Sequence, residues 1–388
     1  MTNKSRILFL LHLPPPIHGS SVMGLSIKES TKLNNNFTCN YINLLASISI
    51  AESGIISINK ILTFGITWFK LLISIIRKRP QLCYFALSTT GAAFFKDFFL
   101  IALLKVFRIK LIYHLHNKGI NLHKHKLIYR FCYNIAFKKT KVIILSKRLY
   151  SDIESFVPEC NVYICPNGII DQGSNCKSDI LSKKTKILSL DNIDLCKQQR
   201  QVSNEVVKIL FLSNLIESKG VYLLLDACAI LMEKQIPFEC NFVGGEGDIS
   251  FSQFHERVIN LKLSKYVNYL GKQYGNDKNN IFSDSDIFVF PSYYETFGLV
   301  NLEAMQHSKP IISTIEGGIP DIVEDRLTGF LIPPKDVIIL ADKLEILIRN
   351  PDLRKIMGNA GRKKYEQEFT LEIFENRLNN ILHQVIVK

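Results

Sequence analysis

Acidic residues are scarce in the first half of this 388-residue chain, where residues 1–200 hold 10 Asp and Glu against 28 Lys and Arg. The second half reverses the balance, 25 against 20, and the whole carries a formal net charge of +13. So lopsided a chain calls for an anionic partner of its first half. A membrane surface fits better than nucleic acid, because no nucleic-acid recognition motif occurs. Nine cysteines are present, but no C-x-x-C pair and no even framework. Disulfide scaffolds and zinc ribbons are thereby excluded, and the cysteines read as small apolar fillers in a reducing cytoplasm. No run reaches the length of uncharged apolar residues that a spanning helix needs. Lys4 and Arg6 precede an apolar run, Ile7–Leu11, which imitates a secretory leader, but His12 and Pro14-Pro15-Pro16 follow and no small-residue cleavage site does. The run reads instead as the first buried strand of a parallel sheet.

Two further absences bear on chemistry. Asp284-Ser285-Asp286 has the letters of a metal-binding D-x-D, but it precedes an apolar strand and is expected to cap or to face solvent. His123 and His125 have no Asp or Glu nearby to complete a ligand set, so no metal site is expected. What remains is a globular composition, 47% hydrophobic and 21% charged, in a chain long enough for two domains.

Strand-like runs alternate with helix-like ones, which predicts a doubly wound α/β architecture. Strands are expected at 7–11, 82–87, 109–115 and 141–145, with a last one and its exit turn within 160–168. The loop PPPIHGSS (14–21) leads to a helix expected to run to about Lys32, capped by Ser20 or Ser21. Residues 54–80 read as one long apolar helix ending in Arg77-Lys78-Arg79-Pro80. It suits either a buried position against the sheet or a place in a bilayer interface, and the basic-aromatic stretch 94–110 adds weight to the second. Periodicity fails over 171–204, rich in Ser, Lys, Asn and Gln, which reads as a linker or insertion. A second sheet starts at Val206, with strands at 239–243, 267–270, 286–290, 310–313 and 329–332, and the tail from Pro351 is helical.

The densest signal is residues 289–334. An apolar strand ends at Pro291, an irregular stretch carries Glu295-Thr296-Phe297-Gly298, and Leu299 to His307 read as a short helix. A strand feeding a loop feeding a helix N-terminus is the anion-binding geometry of open α/β sheets. Gly298 lets the backbone approach a ligand, and the first-turn amides point to the same place. Glu295 sits in the loop and Glu303 more than a turn deeper, at ~1.5 Å rise per residue. A phosphate between two carboxylates makes sense only if the carboxylates take hydroxyls, so the ligand reads as a nucleotide-sugar. Lys219, before Gly220 at the opening of another helix, is the cation best placed for its diphosphate. IKLIYHLHNKG (109–119) is a strand ending in a loop, with His114 and His116 on one face.

This stretch resembles the E-x7-E signature of retaining glycosyltransferases of family 4. The resemblance extends through Thr314, Gly317-Gly318, Asp325, Thr328-Gly329-Phe330-Leu331 and Pro333-Pro334. Upstream it takes in Lys208–Asn214, Lys219-Gly220 and Phe242–Gly247, and it is strong over 206–365 but weaker over 1–170. It implies a GT-B fold, two Rossmann-like domains facing across a cleft. On that reading residues 1–170 form the acceptor-side domain, 171–205 the linker or insertion and 206–365 the nucleotide-sugar domain. Residues 366–388 form a helix returning to the first domain.

The resemblance also implies roles. Glu295 holds hydroxyls of the transferred sugar beside Phe297 and Gly298. The amides of Leu299 and Val300 meet the β-phosphate, and Glu303 takes the ribose hydroxyls. Gly19 lies against the phosphates unless its loop is only a strand-to-helix turn, Gly244 borders the donor cleft unless it is only a tight turn, and Lys272 falls at the base pocket, which reads uracil or guanine. His116, preferred over His114, meets the donor sugar. The family usually has an arginine five residues before the lysine; here that position is Asn214, which supplies no charge. The implied activity is metal-independent, retaining transfer of a hexose-type sugar in bacterial surface-glycan synthesis. Its donor is a UDP- or GDP-sugar substrate with no further cofactor, and its acceptor is lipid-linked or a polysaccharide. The implied place is the cytoplasm at the inner face of the membrane, in contact with anionic lipid and without nucleic acid. A nucleotide-sugar 2-epimerase of the same fold and a non-catalytic sugar-nucleotide-binding partner protein are the rival readings.

Overall fold

The computed structural model describes residues 4–44, 58–172 and 206–387. Two six-stranded, wholly parallel sheets organise it. The first comprises β1 (Arg6–Leu11), β2 (Thr38–Asn43), β3 (Leu82–Leu87), β4 (Lys110–Leu115), β5 (Lys141–Ile144) and β6 (Val162–Ile164) in the order β2-β1-β3-β4-β5-β6. The second comprises β7 (Val207–Leu212), β8 (Phe238–Val243), β9 (Val267–Tyr269), β10 (Ile287–Phe290), β11 (Ile311–Thr314) and β12 (Gly329–Ile332) in the order β12-β11-β10-β7-β8-β9. Central strands are buried on both faces, as a parallel sheet covered by helices requires. All six residues of β3 and all four of β10 are buried.

The period of two separates the faces of the first sheet. Leu8 and Leu10 point into one cluster with Leu71, Ile75, Phe94 and Tyr133, from the helices Ile58–Lys78, Gly91–Val106 and Leu127–Phe137. Ile7, Phe9 and Leu11 point the other way, onto Met23 and Ile27 and onto Phe374, Leu378 and Leu382 of the last helix, Leu371–Val387. The tail therefore completes the core of the first domain. The two crossings of the chain between domains are tied together: Ile169 N donates to Phe369 O (3.0 Å) and Leu371 N to Ile169 O (2.9 Å).

Several expectations need correction. The first helix is Gly19–Glu29, and a separate short helix Thr31–Asn36 follows with Ser30 as its cap. Neither Ser20 nor Ser21 is the N-cap. His18 is, accepting from Ser21 N at 3.3 Å while the Ser21 hydroxyl accepts from His18 N at 2.9 Å. Strand β2 was not foreseen, because TCNYIN is a half-exposed edge with only Ile42 fully buried. The long apolar helix is seen from Ile58 to Lys78; its expected start lies outside the described residues, as does all but the beginning of the linker 171–205. Asp284-Ser285-Asp286 stands at the N-terminal end of β10, where the Asp286 carboxylate accepts from Lys208 N at 2.8 Å. That end of the sheet is opposite the one that carries the loops discussed next. No helix among the described residues is long and apolar enough to cross a membrane.

Candidate active site

In open α/β sheets, ligands sit beyond the carboxyl ends of the strands, where the strand order reverses. Here those points are β1/β3 in the first sheet and β7/β10 in the second. The loops that leave them face each other across a cavity of about 620 Å³, bounded by His12, Gly19 and His116 on one side and by Lys219, Glu295 and Leu299 on the other. A second cavity of about 310 Å³ adjoins it through shared Ile17, Ser213 and Asn214, and reaches Gly244, Lys272, Lys278 and Glu303.

The second-domain wall is built by close backbone approach. Gly298 caps the helix Leu299–Gln306 at φ 85°, and a Cβ there would lie 2.7 Å from Asn301 Nδ2. Only glycine takes that conformation without strain, and it turns the first-turn amides of Leu299 and Val300 toward the cavity. On the opposite wall Gly19 opens the helix Gly19–Glu29, and a Cβ on it would lie 3.4 Å from Leu299 Cδ1. Two helix N-termini thus converge, neither with an acidic residue in its first turn, so their positive ends are not neutralised from within.

Glu295 is more tightly held than expected. Its Oε1 accepts from Thr296 N (2.8 Å) and Phe297 N (3.2 Å), and its Oε2 lies 2.8 Å from Lys219 Nζ. The carboxylate therefore occupies the Phe297 amide itself, while the Phe297 ring is buried. Lys219 also donates to Tyr294 O at 3.1 Å. It precedes Gly220, whose φ of 87° starts the helix Val221–Glu233 and where a Cβ would meet Pro291 O at 2.4 Å. This contact locks the β7 loop against the β10 loop, and so Lys219 against Glu295.

Asn214 does not replace the missing cation. Its Oδ1 accepts from Gly245 N at 3.0 Å, pinning the loop after β8. Gly244, at φ 150°, brings that loop so near that a Cβ would be 1.9 Å from Ser213 O. Lys272 lies along the same loop, its Cε 2.2 Å from where a Gly245 Cβ would stand. Glu303 pairs with Lys278 at 2.9 Å. Lys278 escaped sequence reasoning because it lies in the polar helix Gly275–Asp284, whose letters look like solvent-facing surface.

The first-domain wall is a histidine cluster. The His114 and His116 rings are 4.1 Å apart, and His12 and His18 are 6.2 Å apart. His116 lines the cavity; His114 lies beneath, fully buried, with Nδ1 on the Tyr84 hydroxyl. Burial pushes His116 down to about 3, helped by His12 and His18 nearby, and pushes His12 down to about 3, helped by Lys96 and His18. All four are lowered chiefly by burial, so the wall is uncharged at neutral pH. Proximity of the β1 and β4 loops makes the cluster. The sequence offered a hint in His12 and His18 bracketing the proline loop, but not the pairing.

Other residues come from outside the recognised motifs. The Asn167 side-chain oxygen is buried without a partner at the cavity wall, a group able to accept from a ligand hydroxyl. Lys118 forms an ion pair with Glu316, and Tyr294 Oη donates to Lys118 O at 3.2 Å. Both contacts join the domains beside Glu295, whose amide approaches Glu316 at 3.4 Å. Asp152 positions the Lys118 loop by accepting from the amides of Gly119, Ile120 and Asn121. Among the described residues no group of three or more His, Cys, Asp or Glu is placed to hold a metal ion.

Two facing doubly wound domains with the cleft between them define the GT-B fold. Solved structures agree: a glycosyltransferase from Rickettsia africae superposes with a TM-score of 0.72 at 20% identity, covering 99% of each chain. HepE from Anabaena in complex with UDP-glucose gives 0.70 at 20% identity, over 98% of this chain and 99% of that one. Residues 193–364 match the family model of glycosyl transferases group 1. Among curated proteins, the capsular polysaccharide biosynthesis glycosyltransferase CapM of Staphylococcus aureus is 28% identical over 195 residues, 50% of each chain. The chain thus spans about half the length of that relative.

Proposed function

We propose that the protein is a retaining glycosyltransferase of family 4. It moves a hexose-type sugar from a UDP- or GDP-sugar to a lipid-linked or polysaccharide acceptor in surface-glycan synthesis, at the inner face of the cytoplasmic membrane. The observation that carries the proposal is the convergence of two helix N-termini, Lys219 and the Glu295 carboxylate on one cavity beyond both switch points. The match of residues 193–364 to glycosyl transferases group 1 supports it, as does the fold shared with a UDP-glucose complex.

In this reading the diphosphate lies between Gly19 and the Leu299 and Val300 amides, with Lys219 as counter-charge. The nucleoside extends into the second cavity toward Glu303 and Lys272. The sugar lies between Glu295 and His116. Neutral His116 can hydrogen-bond a sugar hydroxyl without adding charge near the anomeric carbon. Departure of the diphosphate is favoured by dipoles and one cation already in place, which is where electrostatic catalysis acts most strongly. The departing phosphate oxygen takes the acceptor proton on the same face, and configuration is retained.

The test is turnover against a panel of UDP- and GDP-sugars with extracted lipid and glycan acceptors, for the wild type and Glu295→Ala. Nucleotide release that requires acceptor, falls at least ~100-fold in the variant and leaves the donor unaltered without acceptor is the expected result. Donor conversion in the absence of acceptor would instead identify an epimerase.

A further inference from the structure

The first-domain helix Ile58–Lys78 shows an unusual face. Leu62, Ile66, Phe69, Ile73 and Ile76 recur at spacings of four and three, which aligns them along one side of a helix, and all are between 49% and 61% exposed. The opposite side, with Leu71 and Ile75, is buried against the sheet. The stripe does not stand alone. The helices Gly91–Val106 and Leu127–Phe137 lie in the same layer, joined to it through Phe64–Phe99 and Phe94–Tyr129 ring contacts, and they expose Phe99, Leu127, Ile128 and Phe131 by 60% or more. Such a surface exceeds the scattered apolar residues of an ordinary soluble face.

Charge says what would cover it. Residues 58–141, which include all three helices, hold sixteen Lys or Arg and a single acid, Asp97. Asp97 is buried and bonded to Ser88 N, so it offers nothing to the outside. Lys70, Arg77, Lys78, Arg108 and Arg130 are exposed on or beside these helices. A second copy of so basic a face would repel the first, whereas anionic lipid complements both the charge and the apolar stripe.

We infer that this three-helix layer is the surface by which the protein seats on an anionic bilayer, with Leu62, Ile66, Phe69, Ile73 and Ile76 entering the headgroup boundary. Exposed Leu122 lies in the short helix Ile120–His123 that precedes the third of these helices. That residue also lines an interdomain cavity of about 460 Å³ with Lys118, Arg148 and Tyr294, next to the proposed sugar site. An acceptor held in the membrane would therefore meet the cleft from this side. The inference deepens the membrane-side placement proposed above. Its test uses no donor and no turnover, so it can fail while the transferase reading stands, and the reverse.

The experiment is co-sedimentation of the full chain with vesicles of phosphatidylcholine, alone or with about a third phosphatidylglycerol. The wild type is expected to bind only the anionic vesicles, and more weakly as salt rises. Phe69→Glu/Ile73→Glu should weaken partitioning at least ~10-fold. Lys70→Gln/Arg77→Gln, which leaves the apolar stripe intact, should weaken it about 5-fold per charge removed. Melting temperatures equal to the wild type show that both variants are folded. Equal binding by wild type and the glutamate variant, or no binding to anionic vesicles, overturns the inference. So does a wild-type dimer that the glutamate variant converts to monomer without loss of vesicle binding, which would assign the face to a second copy.

Discussion

Acidification should weaken the first domain more than the second, because burial lowers four histidines in the first, His12, His18, His114 and His116, against His307, pushed down to about 4, in the second. His12 and His116 each fall from 6.5 to about 3 on folding, mainly through burial. A base whose folded value is depressed binds more protons when unfolded, so it keeps its full contribution above pH 6.5 and loses it as pH falls toward the folded value. At ~1.4 kcal/mol per pH unit for each group, the descent to about pH 5 costs roughly 2 kcal/mol per histidine, a large share of a domain's stability. The chain's one tryptophan, Trp68, packs against the first-domain core and makes the measurement selective. Urea titrations followed by its fluorescence should show a midpoint that drops between pH 7 and 5. His12→Gln, which removes one of the three most strongly lowered histidines, should flatten that slope by about a third and leave the second domain, followed by hydrogen exchange, unaffected. A pH-independent midpoint, or a slope that the substitution does not change, would refute the account of the cluster as buried and neutral.

Three further outcomes follow from the same structure. Gly220→Ala forces a left-handed φ on a residue with a Cβ and drives it onto Pro291 O, so calorimetry should show a loss of at least ~2 kcal/mol. Lys118→Met removes half of the interdomain ion pair with Glu316, and donor KM should rise about fivefold with kcat little changed, as expected for ~1 kcal/mol of lost closure energy. Steady-state assays should find turnover untouched by EDTA, because the proposed chemistry uses helix dipoles and Lys219 in place of a metal; activity abolished by chelation and restored by a divalent ion would contradict it.

The strands most easily read from sequence were those buried on both faces, such as LCYFAL at 82–87, where composition alone sets the structure. The edge strand TCNYIN carried no such signal, since it is stabilised by pairing with β1 rather than by its own pattern. Around the site, local chemistry was legible and long-range pairing was not. Glu295, Gly298 and Glu303 lie within one loop and helix, so their placement follows from local sequence, while the roles expected of them rest on the family resemblance. Nothing in the letters couples Lys278 to Glu303 or Lys118 to Glu316, because those contacts exist only once sheets and domains are assembled. Asn214 shows the limit from the other side. Its departure from the usual arginine was visible, but its bond to Gly245 N, which gives the side chain a structural task, was not.

The returning helix Leu371–Val387 has a consequence for how the molecule comes into being. Because Phe374, Leu378 and Leu382 fill the same cluster as Ile7 and Phe9, the first domain cannot close its core until residues 371–387, made after the whole second domain, have emerged from the ribosome. The second domain, contiguous in sequence, can fold while the first still waits. Closure of the two cores therefore runs against the order of translation, and a chain stalled before Leu371 would carry a folded second domain attached to an open, apolar first sheet.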